Sequence, residues 1–207
     1  MQKPLYAILL DGGFLTKRLQ VRLGRAVTAD DIVAECDRLR AINHVADYEL
    51  LRIYYYDAFP SNESVAKPVS GEAYPLAETE RYRQSQQLFD QLVLKPHVAL
   101  RMGHVTLSRQ VWKMRPSVAT QLLAEPRGLE DNDFVLDLSQ KGVDIRIGMD
   151  MARLALREMV RTVIVVTGDT DFVPAFKYVR REGVKVILET LGGGGRVELR
   201  KHADIVL

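Results

Sequence analysis

Residues 162–172 have the sequence TVIVVTGDTDF, an apolar run that ends in a glycine and two aspartates. An uninterrupted apolar run of this length is typical of a strand buried in a parallel sheet, and it predicts a strand at 162–167. In such sheets ligands bind beyond the carboxyl ends of the strands. Asp169 and Asp171 would lie at that edge.

The segments on either side alternate between helical and extended patterns. An amphipathic helix is predicted at 150–160, with a start as early as Asp144, and a second helix at 172–182 ends at Gly183. A strand at 185–190, a short helix at 197–202 and a strand at 204–207 complete this part of the chain. The alternation predicts an α/β fold with a mainly parallel central sheet flanked by helices.

The first half of the chain extends the same pattern. Its predicted strands are 4–10, 50–56 and 98–107, and its predicted helices are 14–23, 28–43 and 78–94. The second helix opens with a capping box formed by Thr28 and Asp31. Two stretches do not fit the alternation: a Pro-, Ser- and Gly-rich loop at 57–77, and a longer segment at 109–137 that is helical near 118–124. We therefore predict a single domain, 1–207, with two insertions.

Composition sets limits on the class of protein. The chain has 207 residues, of which 47% are hydrophobic and 27% charged, an ordinary globular balance. No apolar run is long enough to cross a bilayer, the N-terminus lacks a secretory pattern, and Cys36 is the only cysteine. We therefore expect a cytoplasmic protein without membrane association. The net charge of +2 neither requires nor excludes a nucleic-acid partner.

Acidic residues from three separate segments are predicted to meet at one edge of the sheet. Asp11 ends the first strand, and Asp169 and Asp171 follow the strand at 162–167. Asp144 and Asp150 belong to the helix that runs back toward that strand. Six residues correspond to about 120° of helical rotation, so this pair would not share one face of a regular helix. We expect Asp150 to be the nearer ligand and Asp144 either to precede the helix or to act indirectly.

Carboxylates gathered in one pocket raise each other's pKa unless a cation is present. Oxygen ligands select Mg²⁺ or Mn²⁺, and the absence of a Cys/His cluster argues against zinc. Such an ion would suit phosphodiester hydrolysis. Three of these acids also have an ordinary structural interpretation: Asp11 as a helix cap or turn former, Asp171 as a cap of the helix at 172, and Asp144 as a partner of Lys141 or Arg146.

Several of these segments resemble the NYN domain family, in its bacterial LabA-like branch of the PIN-like nucleases. The similar pieces, in the order in which that family has them, are AILLDGGF (7–14), RMGHV (101–105), QKGVDIRIGMDMARLA (140–155), VVTGDTDFVPAF (165–176), GVKVILET (183–190) and LRKHADIVL (199–207). The resemblance implies a Rossmann-like PIN fold and ribonuclease activity dependent on Mg²⁺ or Mn²⁺.

The resemblance also implies roles for particular residues. The catalytic acids would be Asp11, Asp144, Asp150 and Asp169, supported by Asp171, and the Thr167 hydroxyl would orient a water or a phosphate. Phe14 stands where many members have Asn. The segment 109–137 is long for its position and is a candidate lid, substrate platform or homodimer contact.

A basic segment with an aromatic residue is the candidate contact for single-stranded RNA. Basic side chains neutralise phosphates and an aromatic ring stacks on bases. The alternative is that the tryptophan packs the insertion onto the core and the charges form a solvated face. The candidate nucleic-acid contacts are Arg101, Arg109, Trp112, Lys113 and Arg115, together with Lys141 and Thr167.

Two other functions are compatible with parts of the pattern. A haloacid-dehalogenase-like phosphatase also has an aspartate after its first strand, but it needs a second acid two residues later, where this chain has Gly13. A non-catalytic RNA-binding or regulatory module on the same fold would keep the acids without cleaving RNA. The sequence favours the metal-dependent ribonuclease.

Overall fold

The structure is a computed structural model that describes residues 3–193 and 196–207, with the backbone alone described at 108–110. Its strands are β1 Leu5–Asp11, β2 Glu49–Phe59, β3 Ser64–Ala66, β4 Ala73–Pro75, β5 Val98–Met114, β6 Phe134–Lys141, β7 Thr162–Val166, β8 Lys185–Glu189 and β9 Ile205–Val206. Its α-helices are α1 Gly12–Leu23, α2 Ala29–Arg40, α3 Glu80–Leu92, α4 Pro116–Ala124, α5 Val143–Leu156, α6 Val173–Arg181 and α7 Val197–Lys201.

The chain divides into two units, which are described separately. The first unit contains Met1–Asp57, Gln87–Gly103 and Gly142–Leu207, and the second contains Ala58–Gln86 and His104–Lys141. The segments predicted as insertions, 57–77 and 109–137, fall in the second unit except for Asp57.

The first unit is built on a mostly parallel sheet with the strand order β5-β2-β1-β7-β8-β9. β1 pairs in parallel with both β2 and β7, and β7 pairs in parallel with β8. Leu10 lies opposite Val166 in this register, so the residues that follow β1 and β7 are neighbours. The predicted α/β fold with a mainly parallel central sheet is confirmed.

Alternation along the strands creates two buried faces. Ile8 and Leu10 of β1 face a core formed with residues of α1, α2 and α3, such as Leu19 and Phe89. Because successive strand residues point to opposite sides, Leu9 and Asp11 face the other side. There α5 packs, as the hydrogen bond from Tyr56 to its residue Asp150 shows.

The second unit contains elements that the sequence did not predict. β3 and β4 pair in an antiparallel hairpin inside the predicted loop, and the outer part of β5 pairs with β6 inside the predicted irregular segment. The irregular assignment of 57–77 and 109–137 was therefore wrong in part. These strands have mostly exposed or half-buried residues, so they lack the apolar runs that identify buried strands. The helix near 118–124 is confirmed as α4.

The remaining helices and strands agree with prediction to within a few residues, including the capping box at Thr28 and Asp31. Within the described part of the chain, no helix has the length and apolar character needed to cross a membrane.

Candidate metal-dependent active site

Asp11 lies where the first strand passes into the first helix. It is the last residue of β1 and the N-cap of α1, and its Oδ1 accepts a hydrogen bond of 3.1 Å from the backbone N–H of Phe14. Asp11 is therefore a helix cap, as its ordinary structural interpretation predicted. Its second oxygen remains available for other partners.

A buried hydroxyl connects Asp11 with the turn that follows β7. Thr167 is fully buried, and its Oγ1 donates a hydrogen bond of 3.0 Å to Asp11 Oδ2. The same Oγ1 accepts a bond of 3.1 Å from the backbone N–H of Asp169. Thr167 thus holds the ends of the two neighbouring strands in one arrangement.

Asp169 caps the turn at Thr170–Phe172. Its Oδ1 accepts a hydrogen bond of 3.0 Å from the backbone N–H of Asp171. Asp171 does not form the helix cap that the sequence assigned to it, because the N-cap residue of α6 is Phe172, which makes no side-chain capping bond. The Asp171 side chain is exposed beside it.

Asp144 joins these acids from α5, of which it is the second residue. Burial raises the pKa of Asp11 above its usual range, hydrogen bonds from Phe14 and Thr167 oppose the rise, and the charges of Asp144 and Asp169 add to it. The pKa of Asp144 is also raised. Although this residue is exposed, partial removal of its carboxyl group from water contributes most, followed by the charges of Asp169 and Asp171. We call Asp11, Asp144, Asp169 and Asp171 the carboxylate cluster.

Asp150 has partners of its own, which do not belong to the carboxylate cluster. Its Oδ2 accepts a hydrogen bond of 3.0 Å from the Tyr56 hydroxyl, and its Oδ1 accepts one of 3.1 Å from Arg101. Burial, followed by the negative charge of Asp150, raises the pKa of Tyr56. Asp150 therefore has Tyr56 and Arg101 as its partners, whereas Asp144, which the sequence placed second to Asp150, is the one that interacts electrostatically with Asp11 and Asp169.

The donor set of the carboxylate cluster suits a hard divalent cation. All the donors are carboxylate oxygens, and the negative charges of neighbouring acids contribute to the raised pKa of Asp11 and of Asp144, a repulsion that a cation would relieve. Among the described residues, however, no three His, Cys, Asp or Glu side chains are already close enough together to hold an ion. The chemistry of the site therefore fits the metal, and its side chains would have to converge to bind it.

Two glycines allow close packing around Asp11. A Cβ atom on Gly12 would lie 2.6 Å from the backbone oxygen of Tyr56, and one on Gly168 would lie 2.5 Å from the Phe14 ring. Phe14 therefore packs its ring over the turn between Thr167 and Asp169. Sequence reasoning did not predict this contact.

The predicted nucleic-acid contacts are distributed over both units. In the first unit, Arg101 pairs with Asp150. In the second unit, Trp112 donates a hydrogen bond of 2.7 Å to the Ala66 carbonyl and packs edge-on against Tyr74. Trp112 is therefore a packing residue inside the second unit, whereas the alternative to RNA contact had placed it against the core.

The other basic residues of that segment also have partners within the second unit. Lys113 pairs with Asp137 at 2.8 Å, and Arg115 donates to the Asn132 carbonyl at 3.0 Å. Lys141 is exposed at the end of β6. The side chain of Arg109 lies outside the described residues.

Sequence reasoning missed Tyr56 as a partner of Asp150. Tyr56 lies opposite Asp11 in the β1–β2 register and shares a sheet face with Tyr54, so strand alternation places its hydroxyl toward α5. That signal becomes usable only when the strand order is known.

Comparisons with known proteins support this fold and give a family match in the C-terminal half of the chain. The sequence model of the NYN domain matches residues 121–205, a range that includes Asp144, Asp150, Thr167 and Asp169. The match covers less than half of the chain, leaves Asp11 outside, and does not identify a branch of the family, so the LabA-like assignment stays a prediction. Among curated proteins, none matches the chain.

A solved structure supports the fold over the whole chain. It is a protein of unknown function from Vibrio parahaemolyticus, with a TM-score of 0.54 and 16% sequence identity, and the alignment covers 100% of this chain and 93% of that one. At this identity the likeness concerns the fold alone. It supports the α/β fold with a mainly parallel central sheet.

Proposed function

We propose that this chain is a metal-dependent ribonuclease, because residues 121–205 match the sequence model of the NYN domain, a domain of the PIN-like nuclease superfamily. It would hydrolyse RNA phosphodiester bonds at the carboxylate cluster. Asp11 lies outside the matched range and is included because of its geometry.

The observation that carries the proposal is the bridge formed by Thr167. This buried hydroxyl bonds the Asp11 carboxylate and the Asp169 backbone at once, so acids from β1 and from the turn after β7 meet at one edge of the sheet. Asp144 approaches them from the start of α5 and interacts electrostatically with both. A helix cap alone would not require acids from three separate segments.

Asp11, Asp144 and Asp169 are the residues that would hold Mg²⁺ or Mn²⁺, with Asp171 in support. When bound, the ion would polarise the phosphate and activate a water for attack. Thr167 keeps Asp11 oriented, and the Phe14 ring shields the adjacent turn. Asp150 was predicted as a direct ligand, but its bonds to Tyr56 and Arg101 support a role in fixing the position of Arg101.

The test is cleavage of labelled single-stranded RNA in Mn²⁺, Mg²⁺ or EDTA. Asp11→Asn and Asp169→Asn should each reduce cleavage at least about a hundredfold, because each removes a charged oxygen donor. Asn still caps a helix, so folding should be retained. Asp90→Asn is the matched control, since Asp90 is an exposed residue of α3. Equal cleavage by wild type and both site variants would refute the proposal.

The second candidate is an RNA-binding module without catalysis. It is favoured by the absence, within the described residues, of three acids already arranged around an ion. The same experiment separates the two functions, because RNA binding without metal-dependent cleavage would support the module.

The finer assignments are part of the proposal. They are single-stranded RNA as substrate, contacts from the basic residues around Trp112, a homodimer through the 109–137 segment, and a cytoplasmic location. Among the described residues, the exposed Lys141 has the side chain most available for such contacts.

A further inference from the structure

A cavity lined by three arginines lies beside α5 in the first unit. It has a volume of about 300 Å³ and lies against β2, the start of β5 and α5. Its charged lining residues are Arg52, Arg101, Arg153 and Asp150, so the charged side chains carry a net charge of two positive units. Asp11, Asp144 and Asp169 do not line it.

One of the arginines is held in place before any ligand binds. Arg101 lies 3.0 Å from Asp150 through its Nε and donates a second contact of 3.1 Å through a terminal nitrogen. Its guanidinium carbon also lies 5.6 Å from the centre of the Tyr54 ring, within range of a cation–π contact. Tyr56 fixes Asp150 from the other side. A pre-positioned guanidinium loses little entropy when it binds an anion.

The other two arginines of the cavity differ from Arg101 because they are exposed. Arg52 and Arg153 are exposed residues on β2 and α5 and line the same cavity as Arg101. Asp150 is the only acidic residue in the described lining, and it is already paired with Arg101 and Tyr56. Two guanidinium groups are therefore left to bind an added anion.

The net charge of the cavity lining favours one kind of anion. A terminal phosphate monoester carries about 1.5 to 2 negative charges at pH 7, which matches the net charge of the lining, whereas a phosphodiester carries only one. Arginine forks bind phosphate oxygens in pairs. The remaining lining is apolar or aromatic and suits the organic group attached to the phosphate; it consists of Leu51, Tyr54, Ala99, Leu154 and Met159.

We propose that this cavity binds the terminal phosphate of a nucleotide. The phosphate could belong to a free nucleoside monophosphate or to the phosphorylated end of an RNA strand, since both present the same dianion. The volume is at the lower end of the range for small-molecule sites and is large enough for one nucleotide. This binding goes beyond the proposed nuclease activity and does not depend on it.

The experiment is calorimetric titration of the full chain in EDTA with adenosine 5′-monophosphate, with adenosine and with inorganic phosphate. Adenosine 5′-monophosphate should bind more tightly than either adenosine or inorganic phosphate. Arg52→Gln and Arg153→Gln should each weaken its binding about tenfold, the value of one charge-assisted hydrogen bond. Arg157→Gln is the matched control, because Arg157 is an exposed arginine at the end of α5 that does not line the cavity.

Single-stranded RNA with a 5′-phosphate or a 5′-hydroxyl identifies the source of the phosphate. A preference for the phosphorylated strand that Arg153→Gln abolishes would assign the site to RNA ends, and its absence would assign it to free nucleotides. No binding of either phosphate ligand, or equal weakening by Arg157→Gln, would overturn the proposal. Because EDTA prevents metal-dependent cleavage and Asp11→Asn leaves the cavity intact, failure here is distinguishable from failure of the nuclease.

Discussion

Thr167 is the single residue on which the geometry of the carboxylate cluster depends most directly. Its hydroxyl is fully buried and acts as donor to Asp11 and as acceptor from the Asp169 backbone. Thr167→Val keeps the shape of the side chain but leaves a backbone N–H without its partner. We expect RNA cleavage to fall at least about tenfold and stability to fall by about 1–3 kcal/mol.

Thr167→Ser is the matched control, since it retains the hydroxyl and removes only a methyl group. It should keep most of the activity. Cleavage rates and denaturant unfolding of the two variants measure both effects. Equal cleavage by Thr167→Val and wild type would show that the bridge does not position the acids.

Asp11 makes the stability of the metal-free protein depend on pH, and the direction of that dependence follows from its raised pKa. Its pKa is raised in the folded state, chiefly by burial, so the folded protein binds this proton more tightly than the unfolded chain. The contribution of Asp11 to stability is therefore most favourable at acidic pH, below its ordinary pKa near 4, and is lost as pH rises through the folded value.

Asp11→Asn should remove the loss of stability that Asp11 causes as pH rises. We expect the stability of the variant relative to wild type in EDTA to increase from pH 4 to pH 7, by about 1.4 kcal/mol for each unit by which the folded pKa is raised. Chemical denaturation at several pH values measures the difference. A constant difference across this range would contradict the assignment of the raised pKa to Asp11.

At the scale of the secondary-structure elements, the turn after β7 packs against α1 through the Phe14 ring. A Cβ atom at Gly168 would lie 2.5 Å from Phe14, whose ring covers this turn. We expect Gly168→Ala to destabilise the protein by about 1–3 kcal/mol through overpacking. In the double variant Gly168→Ala with Phe14→Leu, the smaller side chain gives the new methyl group room, so the combined loss should be less than the sum of the single losses.

Gly148→Ala provides the control for a glycine without a packing role. Gly148 is inside α5, and an added Cβ would meet nothing within 4 Å. The change should stabilise the protein by about 0.5–1 kcal/mol, because alanine favours helix more than glycine does. Strictly additive losses at Gly168 and Phe14 would show that the two residues do not interact.

The elements also show which parts of the fold sequence patterns predict. β1, β7 and β8 are continuous apolar runs, and their paired register brings Asp11 and Asp169 together as expected. β3 and β4 are three residues each and mostly exposed, so their sequences carry no period that separates them from a loop. A strand can be predicted from its sequence when both of its faces are buried, because its residues then form an apolar run.

For the molecule as a whole, the predicted parallel sheet was enough to place acids at one edge. It was not enough to identify their hydrogen-bond partners. The sequence favoured Asp150 over Asp144 as the nearer ligand, whereas Asp144 is the one that interacts electrostatically with Asp11 and Asp169. The difference depends on Arg101 and Tyr56, which reach Asp150 from other strands. Pairings between residues far apart in the chain follow from packing, which local patterns do not encode.

The charge arrangement leads to a prediction for the stability of the whole chain. In the carboxylate cluster, the charges of neighbouring acids add to the raised pKa of Asp11 and of Asp144, and a divalent cation bound there would stabilise the folded state alone. At a metal concentration a hundred times Kd the gain is about 2.7 kcal/mol. For a protein of this size that corresponds to a rise in Tm of several degrees.

Thermal unfolding in Mn²⁺, Mg²⁺ and EDTA, at ionic strength matched with NaCl, measures this gain without reference to catalysis. Matching is needed because salt alone weakens the repulsion between the acids. Asp144→Asn should abolish the rise, and Asp90→Asn should retain it, because Asp90 lies on α3 outside the cluster. If Tm does not respond to either cation, or responds equally in Asp144→Asn, the carboxylate cluster is not a metal site, and the RNA-binding module becomes the better account of the fold.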